Sequence, residues 1–186
     1  ININKLHVAS NSTTHAYENH ITDSAAAATA WATGKKKKNR YLSVDKDKKE
    51  LTTIFEMLDD KGYLKGIVAT SSVTHATPAA FYAHIDSRYK EKEIADQLLN
   101  SSVDIALGGG QEFFNLQELD KNHYLMTEKV SLENNYDGLK NIIGLFDEDG
   151  MERGLDMPTQ REMTNYALDY LDDKCNGFFL MTEGSQ

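Results

Sequence analysis

Short apolar segments alternate with amphipathic helical segments along this chain, and no other pattern restricts its fold as strongly. The segments LKGIVATSS, VDIALGGG and GFFLMTEG have the length of strands and end in small or polar residues. Between and around them, KELTTIFEMLDDKGY, KEKEIADQLLNSS and TQREMTNYALDYLDD carry apolar residues at helical spacing. The alternation predicts an α/β fold: a mostly parallel sheet with helices on both faces and ligands bound beyond the carboxyl ends of the strands.

Length and charge narrow the functional classes. A chain of 186 residues suits a single domain, residues 1–186, and no apolar run approaches the roughly 20 residues that cross a bilayer. The net charge of -9 argues against nucleic acid and anionic membranes as partners, although a local basic patch can still bind small anions. The single cysteine, Cys175, excludes an internal disulfide and is predicted to be a small buried residue.

Two regions outside this alternation are harder to interpret. Residues 1–9 alternate apolar and polar side chains, which predicts a half-buried strand. Residues 111–155 are polar with weak periodicity, and we expect an insertion or a mobile excursion there. The glycines at 108–110 are expected to form a tight turn, because no lysine–hydroxyl pair follows them as in a P-loop.

The segment HITDSAAAATAWATGKKKK predicts a helix that begins at Ser24, directly after Asp23, and ends at Gly34. An Asp-Ser pair is a common helix cap, but a helix N-terminus also favours a negatively charged oxygen, such as a phosphate or a serine alkoxide. The four lysines after Gly34 are expected to stabilise the negative end of the helix dipole, and an anion-binding patch is the alternative.

A catalytic serine needs a base or a metal ion to activate it. The sequence contains no nucleophile elbow of the G-x-S-x-G type, and His15 and His20 lie on a polar connector as expected surface residues. Metal activation is therefore the favoured hypothesis for Ser24.

Three blocks together carry a family resemblance: TDSAAAATAWATG, VATSSVTHATPAAFYAHIDSR and FFLMTEGSQ. They resemble the motifs of the metal-dependent alkaline phosphatases in order and separation, particularly the bacterial branch with histidine in the second block. The similarity covers residues 1–110 and 159–186, whereas the middle of the chain matches poorly. The resemblance implies phosphomonoester hydrolysis, with phosphate monoesters as substrates.

By this resemblance, Ser24 is the nucleophile and forms a phosphoseryl intermediate. Arg88 would clamp the non-bridging phosphate oxygens with its planar pair of donors, and Asp23 would hold Arg88 in place. Ser24, Arg88 and Asp23 therefore make up the implied substrate-binding site.

The resemblance also implies three metal ions, two zinc and one magnesium. Thr77 and Glu183 match oxygen ligands of the magnesium site, and Ser24 would lie beside the zinc ions. His75 occupies a position held by aspartate in some relatives, so we expect it to act on the metal site through water; it would favour zinc or weaken magnesium binding. His84 and His123 are expected to be structural or surface residues.

The chain departs from the family pattern at both ends. Family members begin with a strand that ends in an Asp-Gly motif, and nothing ahead of Ile1 supplies it; the later Asp and His motifs that complete the zinc sites do not occur in the chain either. We therefore expect an internal fragment, incomplete at both ends and inactive alone, that self-associates as a homodimer or otherwise to cover apolar surface. By resemblance, the complete enzyme is expected in the periplasm or secreted.

Two other functions remain open from the sequence. The first is a non-catalytic phosphate- or metal-binding module of the same fold. The second is a phosphodiesterase or sulfatase of the wider superfamily, which we rank lower because the modified residue of sulfatases belongs to a motif that this chain lacks.

Overall fold

Five parallel strands form the centre of the molecule. The computed structural model describes residues 11–133, 136, 138, 140–172 and 177–185. The strands are β1 (Leu64–Ser72), β2 (Ile105–Gly109), β3 (Tyr124–Met126), β4 (Ile142–Leu145) and β5 (Phe178–Glu183). Their order across the sheet is β3-β4-β2-β1-β5, and all four pairings are parallel. The predicted α/β fold with a mostly parallel sheet is confirmed.

Six α-helices connect and cover these strands in the described parts of the chain. They are α1 (Ser24–Thr33), α2 (Ile54–Asp59), α3 (Ala76–Ala79), α4 (Glu91–Leu99), α5 (Leu116–Asn122) and α6 (Gln160–Asp172). The predicted bounds of α1 are confirmed: Asp23 is its N-cap, and Gly34, with a φ of 71°, ends it in the left-handed conformation. None of the described helices combines the length and apolar character that crossing a bilayer requires.

Alternate strand residues pack into two different layers, as the period of a strand requires. Ile67, Ala106 and Ile143 contact the layer that contains the buried alanines of α1 and α3. Their neighbours Val68, Ile105 and Ile142 contact the layer that contains Met163 and Leu171 of α6. Both faces of the sheet are therefore covered, and α1 lies on the face opposite α6.

Residues 111–155 supply β3, β4 and α5, which the sequence pattern did not predict. The two strands have three and four residues, too few for a visible period in a polar segment. Burial between neighbouring elements stabilises them instead: Ile142 and Leu145 are fully buried. Whether this segment is an insertion stays a prediction, and the strand predicted for residues 1–9 and the burial of Cys175 lie outside the described residues.

Candidate active site

The predicted site residues lie near the carboxyl ends of β1 and β5. The two strands are neighbours, with Ala69 of β1 opposite Glu183 of β5. The chain leaves β1 at Ser72 and reaches α3 through a loop that contains His75, the N-cap of α3. Thr77 lies inside α3 rather than at its cap, and α3 packs against both α1 and β5. The fold thus brings the helix that begins at Ser24 towards the end of the sheet that carries Glu183.

Asp23 connects the start of α1 to Arg88. Its Oδ1 accepts a hydrogen bond from the Ala26 backbone N–H at 2.9 Å, and its Oδ2 accepts one from the Arg40 backbone N–H at 2.9 Å. The same Oδ2 lies 3.7 Å from Arg88 Nη1. Asp23 is thus fixed by two backbone donors, and a carboxylate held this way can orient a guanidinium.

Arg88 also contacts His75. Its Nη2 lies 2.7 Å from His75 Nε2, and because arginine can only donate, Nε2 is the acceptor. The imidazole proton is then on Nδ1, a buried atom without a hydrogen-bond partner among the described residues. Burial, and next the charge of Arg88, lower the pKa of His75, which agrees with a neutral ring.

Glu183 carries a second buried atom without a partner. Its Oε2 is buried and accepts no hydrogen bond from any residue that the structure describes. Glu183 is also close enough to His75 to raise the pKa of the imidazole, against the dominant effect of burial. A buried carboxylate oxygen with no donor is costly, and a bound cation would satisfy it.

Hydroxyl groups hold the loop between β1 and His75. Thr74 Oγ1 donates to Glu91 Oε2 at 2.6 Å, and Ser72 Oγ bonds to the same threonine hydroxyl. The Tyr82 hydroxyl donates to the Val73 carbonyl at 2.9 Å. Glu91 lies 16 residues after His75 on α4 and was not predicted from the sequence, because no local pattern connects it to this loop.

An acidic loop also reaches the site, and the sequence analysis missed it. The backbone N–H groups of Gly110 and Gln111 both donate to the Asp147 carbonyl at 3.0 Å, which holds residues 147–150 over the end of β2. Asp149 from this loop raises the pKa of His75. The turn predicted for residues 108–110 is wrong for its first two glycines, because Gly108 and Gly109 belong to β2, and only Gly110, with a φ of 110°, turns the chain out of the strand.

Ser24 and Thr77 lie next to the contacting residues along the chain. Ser24 is half-buried, and Thr77 is 7% exposed. Neither hydroxyl makes a hydrogen bond within the described structure. Ser24 takes its position from the adjacent Asp23, and Thr77 from its place two residues after His75. Among the described residues, no group of three or more His, Cys, Asp or Glu side chains lies close enough together to hold a metal ion.

His84 and His123 have surroundings of their own and make no contact with the candidate active site in the described structure. His84 bonds the Ser43 carbonyl through Nδ1 at 2.9 Å and Glu56 Oε1 through Nε2 at 3.2 Å, so its predicted structural role is confirmed. Burial lowers the pKa of His123, whose Nδ1 is buried without a partner among the described residues.

These features define a parallel α/β protein with an arginine, a carboxylate and a histidine in contact beside a serine that begins a helix. The chain belongs to the alkaline phosphatase family, whose model matches residues 1–186. Two Bacillus subtilis relatives, alkaline phosphatase 3 and alkaline phosphatase 4, are 40% and 38% identical to it over 91% and 90% of its length. The chain spans about 40% of the length of each of these curated relatives.

Solved structures agree with this assignment. A cold-active alkaline phosphatase from Shewanella sp. matches 91% of the chain with a TM-score of 0.83 and 36% identity, over 44% of that enzyme's own length. The enzyme from the Antarctic bacterium TAB5 matches 91% with a TM-score of 0.83 and 29% identity, over 53% of its length. Two variants of the TAB5 enzyme, in which a histidine is replaced by Asp or Glu, have Mg bound in the M3 site.

Proposed function

We propose that the protein hydrolyses phosphate monoesters through a phosphoserine intermediate on Ser24. Ser24 Oγ attacks phosphorus, the bond between phosphorus and the ester oxygen breaks, and the alcohol leaves. Water then attacks the phosphoserine, releasing inorganic phosphate and restoring the hydroxyl. The first-turn N–H groups of α1 suit this step, because a helix N-terminus stabilises negative charge on nearby oxygens.

Arg88 is the proposed phosphate clamp. Its guanidinium offers a planar pair of donors for two non-bridging phosphate oxygens, the geometry that charge-assisted recognition favours. Asp23, anchored by two backbone N–H groups, positions this guanidinium from one side. His75 contacts it from the other side at 2.7 Å, so Arg88 is oriented before substrate arrives.

Magnesium is the proposed ion for Thr77 and Glu183, because both offer the oxygen ligands that this hard cation prefers. The unpartnered Oε2 of Glu183 fits such an ion. When bound, the ion supplies positive charge beside the phosphate. With its proton on Nδ1, His75 is a donor towards a water or an oxygen rather than a direct ligand, which supports a role through water.

Zinc is a separate part of the proposal. Ser24 is the only candidate zinc contact named in this chain, and the described residues assemble no zinc site. We therefore propose the two zinc ions for the complete protein and assign no catalytic step to them here.

The contact chain from Asp23 through Arg88 to His75, beside Ser24, is the observation that carries this proposal. The test is turnover of p-nitrophenyl phosphate by the complete protein. We expect Ser24→Ala and a chelator each to abolish turnover, whereas Ser12→Ala, a matched change at an exposed serine, leaves it intact. Turnover that survives Ser24→Ala would reject the nucleophile, and phosphate binding without any turnover would indicate a non-catalytic binding module.

Activity, assembly and location of the whole protein belong to the same proposal. We propose that the 186-residue chain alone is inactive, that the complete protein is a homodimer, and that it works in the periplasm or outside the cell. Cell fractionation with the activity assay tests the location, and light scattering tests the dimer.

A further inference from the structure

Positive charge is concentrated in one short segment. Residues 35–49 contain seven lysines and one arginine against two aspartates, a net charge of +6, whereas the whole chain carries -9. The other 171 residues therefore carry -15. Such an asymmetry predicts a local anion-binding surface on an otherwise acidic protein.

The segment lines a cavity of about 270 Å³. Its lysines are Lys36, Lys37, Lys38 and Lys46, and Tyr17 and Tyr41 complete one part of the wall. Both tyrosines lie close enough to Lys38 to raise the pKa of its ammonium group, although its partner Glu18 is the main cause. The cavity thus combines ammonium groups with phenol hydroxyls, which are all able to donate hydrogen bonds to an anion.

The structure does not support the helix-dipole explanation of these lysines. Helix α1 ends at Thr33, and its last turn contains no basic residue. Lys36 Nζ donates to the His15 carbonyl at 2.8 Å, which lies outside the helix. Lys37 Nζ makes no ion pair with any described residue, although its charge helps to lower the pKa of Asp45, and its backbone carbonyl accepts from the Tyr17 N–H.

The carboxylates at this cavity have other partners. Asp45 Oδ1 accepts from the backbone N–H groups of Asp47 at 2.8 Å and Lys49 at 3.0 Å, and the backbone bond from Lys49 is the main reason that its pKa is lowered. Lys38 pairs with Glu18 at 2.9 Å, whereas Lys46 lies 3.5 Å from Asp47. These exposed pairs are weak, so an anion with several charges can compete for the lysines.

We propose that this lysine cavity, lined by lysines 36, 37, 38 and 46, is a second anion site that binds oligophosphates. An orthophosphate, with four oxygens each about the size of a water, fills roughly half of the cavity volume. Two or more linked phosphate groups suit both the volume of the cavity and its four lysines, which bind phosphate as separate point charges. A long nucleic acid fits less well, because the acidic remainder of the chain would repel it.

The cavity lies close to Asp23 along the chain. Asn39 Oδ1 accepts from the Asp23 backbone N–H at 3.2 Å, and the next residue, Arg40, donates to Asp23 Oδ2. Lys38 directly precedes these two residues. The oligophosphate site is therefore adjacent to, but built from different side chains than, the proposed Ser24 site, and its existence does not depend on catalysis at Ser24.

Calorimetry with inorganic triphosphate tests the proposal on the complete protein in buffer with a chelator. We expect Lys37→Ala/Lys46→Ala to weaken triphosphate binding at least tenfold. The charge-matched control Lys92→Ala/Lys121→Ala, at exposed positions of α4 and α5, should leave the affinity within twofold. Arg88→Ala removes the proposed phosphate clamp and should leave the binding that depends on Lys37 and Lys46 in place, which separates the two sites.

The oligophosphate site would be overturned if triphosphate did not bind to the wild type, or if both lysine double variants lost triphosphate affinity equally. Loss of the lysine-dependent triphosphate binding in Arg88→Ala, or orthophosphate binding as tightly as triphosphate, would also overturn it. A second experiment uses only the wild-type protein, so it does not depend on whether the variants fold. Pyridoxal phosphate followed by borohydride should label the cavity lysines of the wild type, with triphosphate protecting them. Labelling only at other lysines, or labelling that triphosphate does not reduce, would contradict the site.

Discussion

A single carboxylate, Asp23, links the start of α1 to the proposed phosphate clamp Arg88. One of its oxygens caps α1, and the other faces both the Arg40 N–H and Arg88. Because these contacts use both oxygens, a shift of the helix start would also shift the guanidinium. Asp23, the N-cap of α1, therefore constrains the distance between the Ser24 hydroxyl and the proposed phosphate clamp.

Arg88→Lys tests whether the forked guanidinium matters or only its charge. An ammonium group cannot face Asp23 and His75 and also present two parallel donors to phosphate. Loss of a charge-assisted contact costs about 1.5–3 kcal/mol, so we expect kcat/KM for p-nitrophenyl phosphate to fall roughly 10- to 150-fold. The melting temperature should change little, since Asp23 keeps its two backbone donors in this variant.

The matched control is Arg161→Lys, at an exposed position of α6 away from Asp23 and His75. It should keep wild-type kcat/KM. If Arg88→Lys also kept wild-type kcat/KM, the clamp would not need two donors and its assignment to Arg88 would fail.

Much of the candidate site could be predicted from residues with recognisable neighbours. Ser24, Asp23, His75 and Arg88 stand in motif blocks, and the structure joins three of them by contact. Glu91 and Asp149 were missed because they come from α4 and the acidic loop, which reach His75 only through the fold. Sequence spacing carries no information about such long-range electrostatic neighbours.

Secondary-structure elements likewise divide into those that a local sequence pattern predicts and those that form only through contacts in the fold. Helices α4 and α6 and strand β1 have enough residues for their period to be visible, and all three were predicted. Helix α3, Ala76–Ala79, has only four residues, too few for a helical period to be visible in the sequence. Strands β3 and β4 form because neighbouring strands pair with them, which no local pattern encodes.

Gly109→Ala tests the contact between β2 and the acidic loop. A Cβ at this position would lie 1.9 Å from the Asp149 carbonyl oxygen, so the loop would have to move. We expect a loss of about 2–4 kcal/mol in the free energy of unfolding, measured by urea denaturation. Gly150→Ala is the control, because its nearest atom is the Ser71 Cα at 3.9 Å and its stability should stay within about 0.5 kcal/mol. Equal effects would contradict the close loop contact.

The contacts at the start of α6 predict that the stability of the fold depends on pH. Glu162 Oε2 accepts from the Thr159 N–H at 2.7 Å and its hydroxyl at 2.9 Å, and Oε1 pairs with Lys129 at 3.1 Å. These contacts, the backbone bond first, lower the pKa of Glu162 from 4.5 to about 2. A lowered folded-state pKa stabilises the fold above the unfolded value and loses this effect as pH falls from 4.5 towards 2.

Glu162→Ala should therefore lower the urea midpoint more at about pH 7 than at about pH 3. Glu118→Ala, at an exposed position of α5 without an ion pair in the described chain, should lower it similarly at both values. A Glu162→Ala effect that did not depend on pH would contradict the capping role of the ionised carboxylate.

At the scale of the whole molecule, the sheet edge formed by β5 determines whether the 186-residue chain self-associates. Among the described strands, β5 pairs with β1 on one side only. Its residues Phe178, Phe179 and Leu180 are half-buried, and Ile21, Trp31 and Leu155 are exposed by 85%, 70% and 96%. An open edge beside apolar side chains favours pairing with another chain.

We therefore expect the 186-residue chain, produced alone, to self-associate. Size-exclusion chromatography with light scattering over a concentration series should give a mean mass above that of the monomer, rising with concentration. Thr182→Lys places a charge at an exposed position of β5 and should shift the distribution towards smaller species, because lysine on an edge strand opposes pairing. Lys140→Thr, far along the sheet in the segment before β4, controls for a general effect of charge. A compact, stable monomer at every concentration would mean that β5 and the exposed apolar residues do not drive association.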